Sequence, residues 1–264
     1  MDFNDTPQEA EFRKKVRSFL EANAEKRSTL AAKPKDDTGS SISSAGAPET
    51  VKGEDAAKVA LDNAKEWQRK KADAGFAAIL WPKEFGGYGG TPIEQVIYAQ
   101  EEHDYFVHSG YFEIGIGMLG PTMMAWGKDE DKKRFLPKMI TGEEIWCQLF
   151  SEPSAGSDLA GIRMKAEKDG DEWVLNGQKV WTSGAHFADY GMIVARSDPT
   201  ALKHKGLTYF YVDMKTPGIE AKPIKQISGS ANFNEVFFND VRIPDSQRIG
   251  AEGDGWKVSL TTLM

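Results

Sequence analysis

Cysteine is almost absent from this chain: Cys147 is the only one among 264 residues. A single thiol excludes an internal disulfide, and its place in the apolar run 145–150 predicts a buried, inert side chain rather than a nucleophile. Histidine is scarce too. His103, His108, His186 and His204 lack the spacing of a metal site, so no metal is expected. No apolar run approaches the ~18 residues that would argue a membrane span. The opening residues carry no basic stretch followed by an apolar one, which makes a cytoplasmic location the default. Cationic charge is also in short supply. A formal net charge of −7 repels phosphate backbones over most of the surface, and no basic aromatic stripe offsets it, so nucleic acid is not an expected partner.

What is present reads as a globular protein, with 40% hydrophobic and 28% charged residues and a length that predicts two domains. Phe12, Val16, Phe19 and Leu20 share one face of a helix expected over about 7–24. From 28 to 53 the residues turn to Ser, Ala, Gly, Lys, Asp and Pro, too polar to offset chain entropy, and a mobile loop is expected. Helical spacing resumes over 55–74, and Thr91-Pro92-Ile93-Glu94 combines a capping residue, a first-turn proline and a reciprocal glutamate, so another helix starts there. Further helices are expected over 111–126 and 129–140. Beyond Gly142 the period falls toward 2, with strands expected over 146–151, 173–175, 179–183, 192–195, 207–214, 219–224 and 235–243. Asp169-Gly170 and Asn176-Gly177 read as hairpin turns. A final helix begins near Trp256, and no internal repeat is visible. The expected class is α+β, an N-terminal all-α domain followed by a β-barrel.

The strand 146–151 runs into Ser151-Glu152-Pro153-Ser154-Ala155-Gly156-Ser157-Asp158-Leu159-Ala160-Gly161, where hydroxyls, small residues and free backbone N–H groups suit a diphosphate. Asn176-Gly177-Gln178-Lys179-Val180-Trp181 comes later in the chain. In spacing and order these two segments resemble the acyl-CoA dehydrogenase family. Trp81-Pro82-x-x-Phe85-Gly86-Gly87 resembles the family's loop between N-terminal helices, and Phe237-Phe238-Asn239-Asp240-Val241-Arg242-Ile243-Pro244 the strand closing its middle domain. The resemblance implies a helical domain at 1–142 with an insertion near 28–54, a flavin-binding β-barrel at 143–247, and the start of a C-terminal helix at 248–264. Family members continue past a Gly-rich turn like 250–255 into a helical bundle, which is absent from this chain.

The resemblance also implies chemistry. The cofactor is FAD, and the reaction takes an α-proton and a β-hydride from an acyl-CoA thioester, leaving a trans-2-enoyl-CoA. Phe150 and Ser151 are expected near the flavin ring edge around N5, where a donor stabilises the charge of the reduced ring. A strand-end serine alone more often caps its own turn. Gly156 and Ser157 are expected at the diphosphate, with Ser157 also reaching the acyl-CoA. On the dipeptide alone an ordinary turn is the better reading, and the eleven-residue pattern reverses it. Trp181, Thr182 and Ser183 are expected to form a flavin wall, although a strand tryptophan is more commonly core. Gln148 stands where relatives often carry an aromatic residue and is also expected at the cofactor.

Glu152 and Asp158 are assigned structural hydrogen bonds. Met118, Leu119, Met123 and Met124 fit a plain core stripe better than an acyl tunnel. The family's base is a glutamate of the C-terminal bundle, so no residue here is assigned to catalysis and the chain alone is expected to be inactive. Electron-transfer flavoprotein is the implied electron acceptor, and a homo-oligomer the implied state of a full-length relative. The alternative is a non-catalytic subunit that holds FAD or CoA and completes a site with another polypeptide.

Overall fold

The computed structural model describes residues 4–27, 54–227, 229 and 231–264. The expected loop at 28–53 lies outside the described residues. Two compact units account for the chain: Met1–Gly110 with Ile140–Glu143, and Tyr111–Met139 with Glu144–Met264. The helices after residue 110 therefore cluster with the strands, although they precede the expected boundary at 142 in sequence.

Among the described residues the first unit holds three α-helices, α1 (Pro7–Asn23), α2 (Glu54–Asp73) and α3 (Pro92–His103), and a two-residue strand pair, β1 (Glu25–Lys26) with β2 (Tyr105–Phe106). Thr6 and Thr91 each receive the N–H of the glutamate three residues on, and each glutamate accepts a bond from the threonine's own N–H. Both capping boxes are complete, which satisfies donors that a helix start otherwise leaves orphaned. Phe12, Val16 and Leu20 of α1 pack with Trp67, Phe76, Ile97 and Tyr98 into one buried cluster. The 3.6-residue period set that contact.

In the second unit a π-helical turn, Gly115–Leu119, runs into α4 (Gly120–Trp126), followed by α5 (Asp129–Thr141). Leu119 and Met123 are fully buried, as core residues. Eight strands then form one sheet: β3 (Trp146–Leu149), β4 (Lys165–Asp169), β5 (Glu172–Ser183), β6 (Tyr190–Arg196), β7 (Leu207–Asp213), β8 (Ile219–Ile224), β9 (Phe233–Pro244) and β10 (Arg248–Ile249). Their order is β10-β7-β6-β4-β5-β9-β8, and β3 lies beside β6. A short helix, α6 (Gly255–Leu263), comes last. Among the described residues no helix is long and apolar enough to cross a membrane.

The middle of this sheet is uneven. β7 covers one edge of β6 from 190 to 196, whereas the other edge is shared. β3 runs parallel to residues 190–193, and β4 touches β6 only at Lys165 and Arg196. Residues 150–164 cross the gap between them.

Of the two expected hairpin turns, one forms and one does not. Asp169-Gly170 makes the β4–β5 hairpin, with Gly170 at φ 63°, but Asn176-Gly177 makes no turn. It sits inside the unbroken β5, where the register against β9 slips between Leu175 and Gly177. Asn176 exchanges two bonds with Asp240, which takes φ 50° across the bulge. The dipeptide signals tolerance of positive φ, and a bulge uses that tolerance as well as a hairpin does. β4 was not foreseen because Lys165-Ala166-Glu167-Lys168-Asp169 buries Ala166 alone.

Candidate functional site

The turn after β3 is built locally. Glu152 and Ala155 exchange both backbone hydrogen bonds, at 2.9 and 3.0 Å, around Pro153 and Ser154. Pro153 presets φ for such a turn. The turn is fixed to β5 by the Val180 N–H, which donates to the Ser151 carbonyl at 2.9 Å. The two motifs, separated by about thirty residues in sequence, are thus directly hydrogen-bonded.

Glu152 is buried beneath this junction. Its carboxylate accepts from the N–H groups of Arg163 and Met164 at 2.6 and 3.1 Å and from the ammonium of Lys179 at 2.9 Å. Lys179 is completely buried and donates further to the carbonyls of Phe150 and Val194, at 2.9 and 2.8 Å. Burial lowers its pKa to about 8, against the opposing pull of Glu152. Lys179 is not among the residues expected at the site, although a lysine among the apolar positions of a strand is itself a signal of a buried partner.

At Trp181 the backbone departs from regular strand. Between Lys179 and Thr182, β5 carries one residue more than β9, and Trp181 takes φ 60°. An indole in the left-handed region is rare for so bulky a residue. The bulge turns the side chain out of the sheet, leaving it 58% exposed and edge-on to Phe233. Its neighbours anchor inward. The Thr182 carbonyl accepts from the buried Asn234 amide at 2.9 Å, which fixes the Asn234 oxygen as the acceptor facing His186 Nδ1 at 3.0 Å. That contact makes Nδ1 the protonated nitrogen of neutral His186. Asn234 and His186 were not foreseen either.

The remaining expected residues divide. Phe150 is buried edge-on against Tyr209, so its ring belongs to the core. Ser151 and Ser183 are half-buried, and Gly156 and Ser157 are exposed. A Cβ on Gly156 would meet no protein atom. Among the described residues no backbone hydrogen bond ties Gly156 or Ser157 to β5. Asp158 pairs with the exposed Lys203. Cys147 is buried, its thiol pKa pushed up to about 12 by desolvation, and is inert. Among the described residues no cluster of metal-ligating side chains occurs.

Whether these residues suit a flavin is testable on the orphans they leave. The buried Nε2 of Gln148 and Oγ1 of Thr182 have no hydrogen-bond partner among the described residues. An unmet buried donor costs about 1–3 kcal/mol, which a ligand or ordered water can relieve. Three other buried polar atoms share that state, on Glu144, Trp146 and Gln247, so the orphans support a site less strongly than the bulge does. An outward indole, half-buried hydroxyls and an open glycine turn together fit a flat, polar-edged ring with an anionic tail.

Comparison with known proteins gives a consistent result. Family profiles described as acyl-CoA dehydrogenase, N-terminal domain, and acyl-CoA dehydrogenase, middle domain, match residues 47–143 and 147–241. Acyl-CoA dehydrogenase IpdE1 of Mycobacterium tuberculosis is 42% identical over 204 residues, covering 77% of this chain and 53% of the relative. Acyl-CoA dehydrogenase FadE34 of the same organism is 47% identical over 207 residues, covering 78% and 29%. Among solved structures, the Tcur3481-Tcur3483 steroid ACAD is similar at TM-score 0.77 and 30% identity, covering 100% of this chain and 62% of that one. The ChsE4-ChsE5 complex from Mycobacterium tuberculosis is similar at TM-score 0.75 and 31% identity, covering 100% and 61%. The chain spans about half the length of IpdE1 and less than a third of FadE34.

Proposed function

The chain belongs to the acyl-CoA dehydrogenase family, and from that premise we propose that its sheet-rich unit holds FAD for the oxidation of an acyl-CoA thioester. The observation that carries this reading is the β5 bulge, which holds Trp181 outward at φ 60° next to the strand position bonded to Ser151. Strained bulky residues persist where the surrounding structure fixes them, and they concentrate at ligand sites.

Bound FAD would supply the hydride acceptor for α,β-dehydrogenation. The chain's own share is to bind and orient. Trp181 covers a ring face, the Ser151 and Ser183 hydroxyls with Gln148 and Thr182 meet the polar edge, and the open turn at Gly156 and Ser157 admits the diphosphate. Ser157 is also the residue proposed to reach the acyl-CoA. Neutral donors suffice there, and a backbone without Cβ allows close approach. No residue of this chain is assigned as the α-proton base, so the polypeptide assayed alone is expected to show little or no turnover. Electron-transfer flavoprotein remains the proposed acceptor.

A second reading is favoured by the company this fold keeps. Two of the similar structures are of paired proteins, ChsE4 with ChsE5 and Tcur3481 with Tcur3483. On that reading the chain completes its site with another polypeptide. The steroid ACAD relative adds bulky steroid thioesters to fatty acyl-CoA as substrate classes.

The test is a visible absorption spectrum of the purified protein after addition of FAD and removal of the free cofactor. A retained flavin band with resolved vibrational structure is expected. A colourless protein under saturating FAD would overturn the assignment.

A further inference from the structure

The shared edge of β6 leaves a notch. β3 stops pairing at Ile193 and β4 begins only at Arg196, so the carbonyl of Val194 faces the gap without a strand beside it. The last residue before the cradle, Phe150, is likewise past the end of its ladder. Unpaired buried carbonyls are costly, and regular sheet offers nothing to satisfy them here. Lys179 fills the notch: one ammonium meets both carbonyls and the Glu152 carboxylate, all within 2.8–2.9 Å. Glu152 in turn holds the N–H groups of Arg163 and Met164, the residues that lead into β4. Both ends of the 150–164 crossing are therefore tied to a single buried charge pair.

Desolvation offsets most of the attraction within a buried ion pair, so the two charges by themselves add little to stability, and what the pair contributes is partners for four buried backbone groups. What apolar side chains cannot do is fix the direction of two carbonyls and two N–H groups. We propose that the buried Lys179–Glu152 pair is a positioning device that sets the orientation of the Ser151–Ser157 turn toward the cofactor. This rests on the reading that the turn belongs to an FAD site.

Lys179 lies on β5, one residue before the Val180 N–H that binds Ser151 and two before Trp181, so the same strand segment orients both walls. Neither Lys179 nor Glu152 touches the cofactor in this proposal. Their action runs through the backbone of residues 150–152 and 163–164.

The experiment compares wild type, Lys179→Met, and the double variant Lys179→Met/Glu152→Gln in the full 264-residue chain, measuring thermal midpoint, FAD dissociation constant and the visible spectrum of the bound ring. Lys179→Met strands a buried carboxylate and is expected to lose stability. The double variant carries no buried charge and is expected to recover part of that loss, staying below the wild-type midpoint because the Phe150 and Val194 carbonyls remain unpaired. Its FAD affinity is expected to stay about tenfold weaker, the cost of one lost hydrogen bond to a charged group, with a less resolved flavin spectrum. Wild-type FAD affinity and a wild-type flavin spectrum in the folded double variant would show a purely structural pair and overturn the proposal. Failure of wild type itself to bind FAD would instead remove the cofactor reading beneath it.

Discussion

At the scale of single residues, Trp181 sets local stability against its proposed role at the flavin. A left-handed backbone costs a non-glycine residue roughly 1–2 kcal/mol, and an indole 58% exposed regains little of that by burial. Trp181→Gly is therefore expected to leave the protein as stable as before, or more stable by up to about 1 kcal/mol, while weakening FAD binding. Chemical denaturation alongside FAD titration checks both halves. A clear loss of stability would mean the indole is packing and not wall. The family motif that contains the tryptophan was legible in the sequence. Its conformation was not, because a bulge depends on the count of residues in the opposing strand, and β9 lies about fifty positions away.

At the scale of elements, local chemistry predicted what local chemistry controls. The Thr91-Pro92-Ile93-Glu94 box starts α3, and Asp169-Gly170 turns β4 into β5, since each is decided within a few residues. Asn176-Gly177 shows where that logic stops. Its positive-φ preference is real, but β9 pairs on both sides of it and converts a hairpin signal into a bulge. Gly177 takes φ 148°, and a Cβ there would come within 3.0 Å of the Met164 backbone. Gly177→Ala is accordingly expected to destabilise by about 1–3 kcal/mol through strain and overpacking, read as a lower urea midpoint. Because Met164 donates its N–H to Glu152, the same substitution is expected to weaken FAD binding as well.

For the whole molecule, charge sets the response to pH. Hydrogen bonds from Arg248 and then Trp173 hold the Asp245 carboxyl well below the usual carboxylate range. A depressed carboxylate contributes stability that is present above its ordinary value near 3.8 and is lost as pH falls through the folded value. Lys179 acts oppositely. Its pKa falls from 10.5 to about 8, chiefly by burial, so the unfolded chain binds more protons between those values and this group's contribution grows more favourable as pH rises across them. The urea midpoint is expected to drop below about pH 4, and Asp245→Asn to flatten that acid limb. An unchanged limb in the variant would remove Asp245 from the account.

By itself, the sequence determined the class of fold, most of the order of helices and strands and the two family motifs proposed to carry the site, because hydrophobic period, caps and motif spacing are written over short stretches. Tertiary structure alone decided how those segments meet. The outward turn of Trp181, the core position of Phe150 and the seating of Lys179 in the β6 notch all depend on which strands end beside which. Strand neighbours distant in the chain leave no mark on the local pattern, so the geometry of the site appears only once the sheet has closed its hydrogen bonds around it.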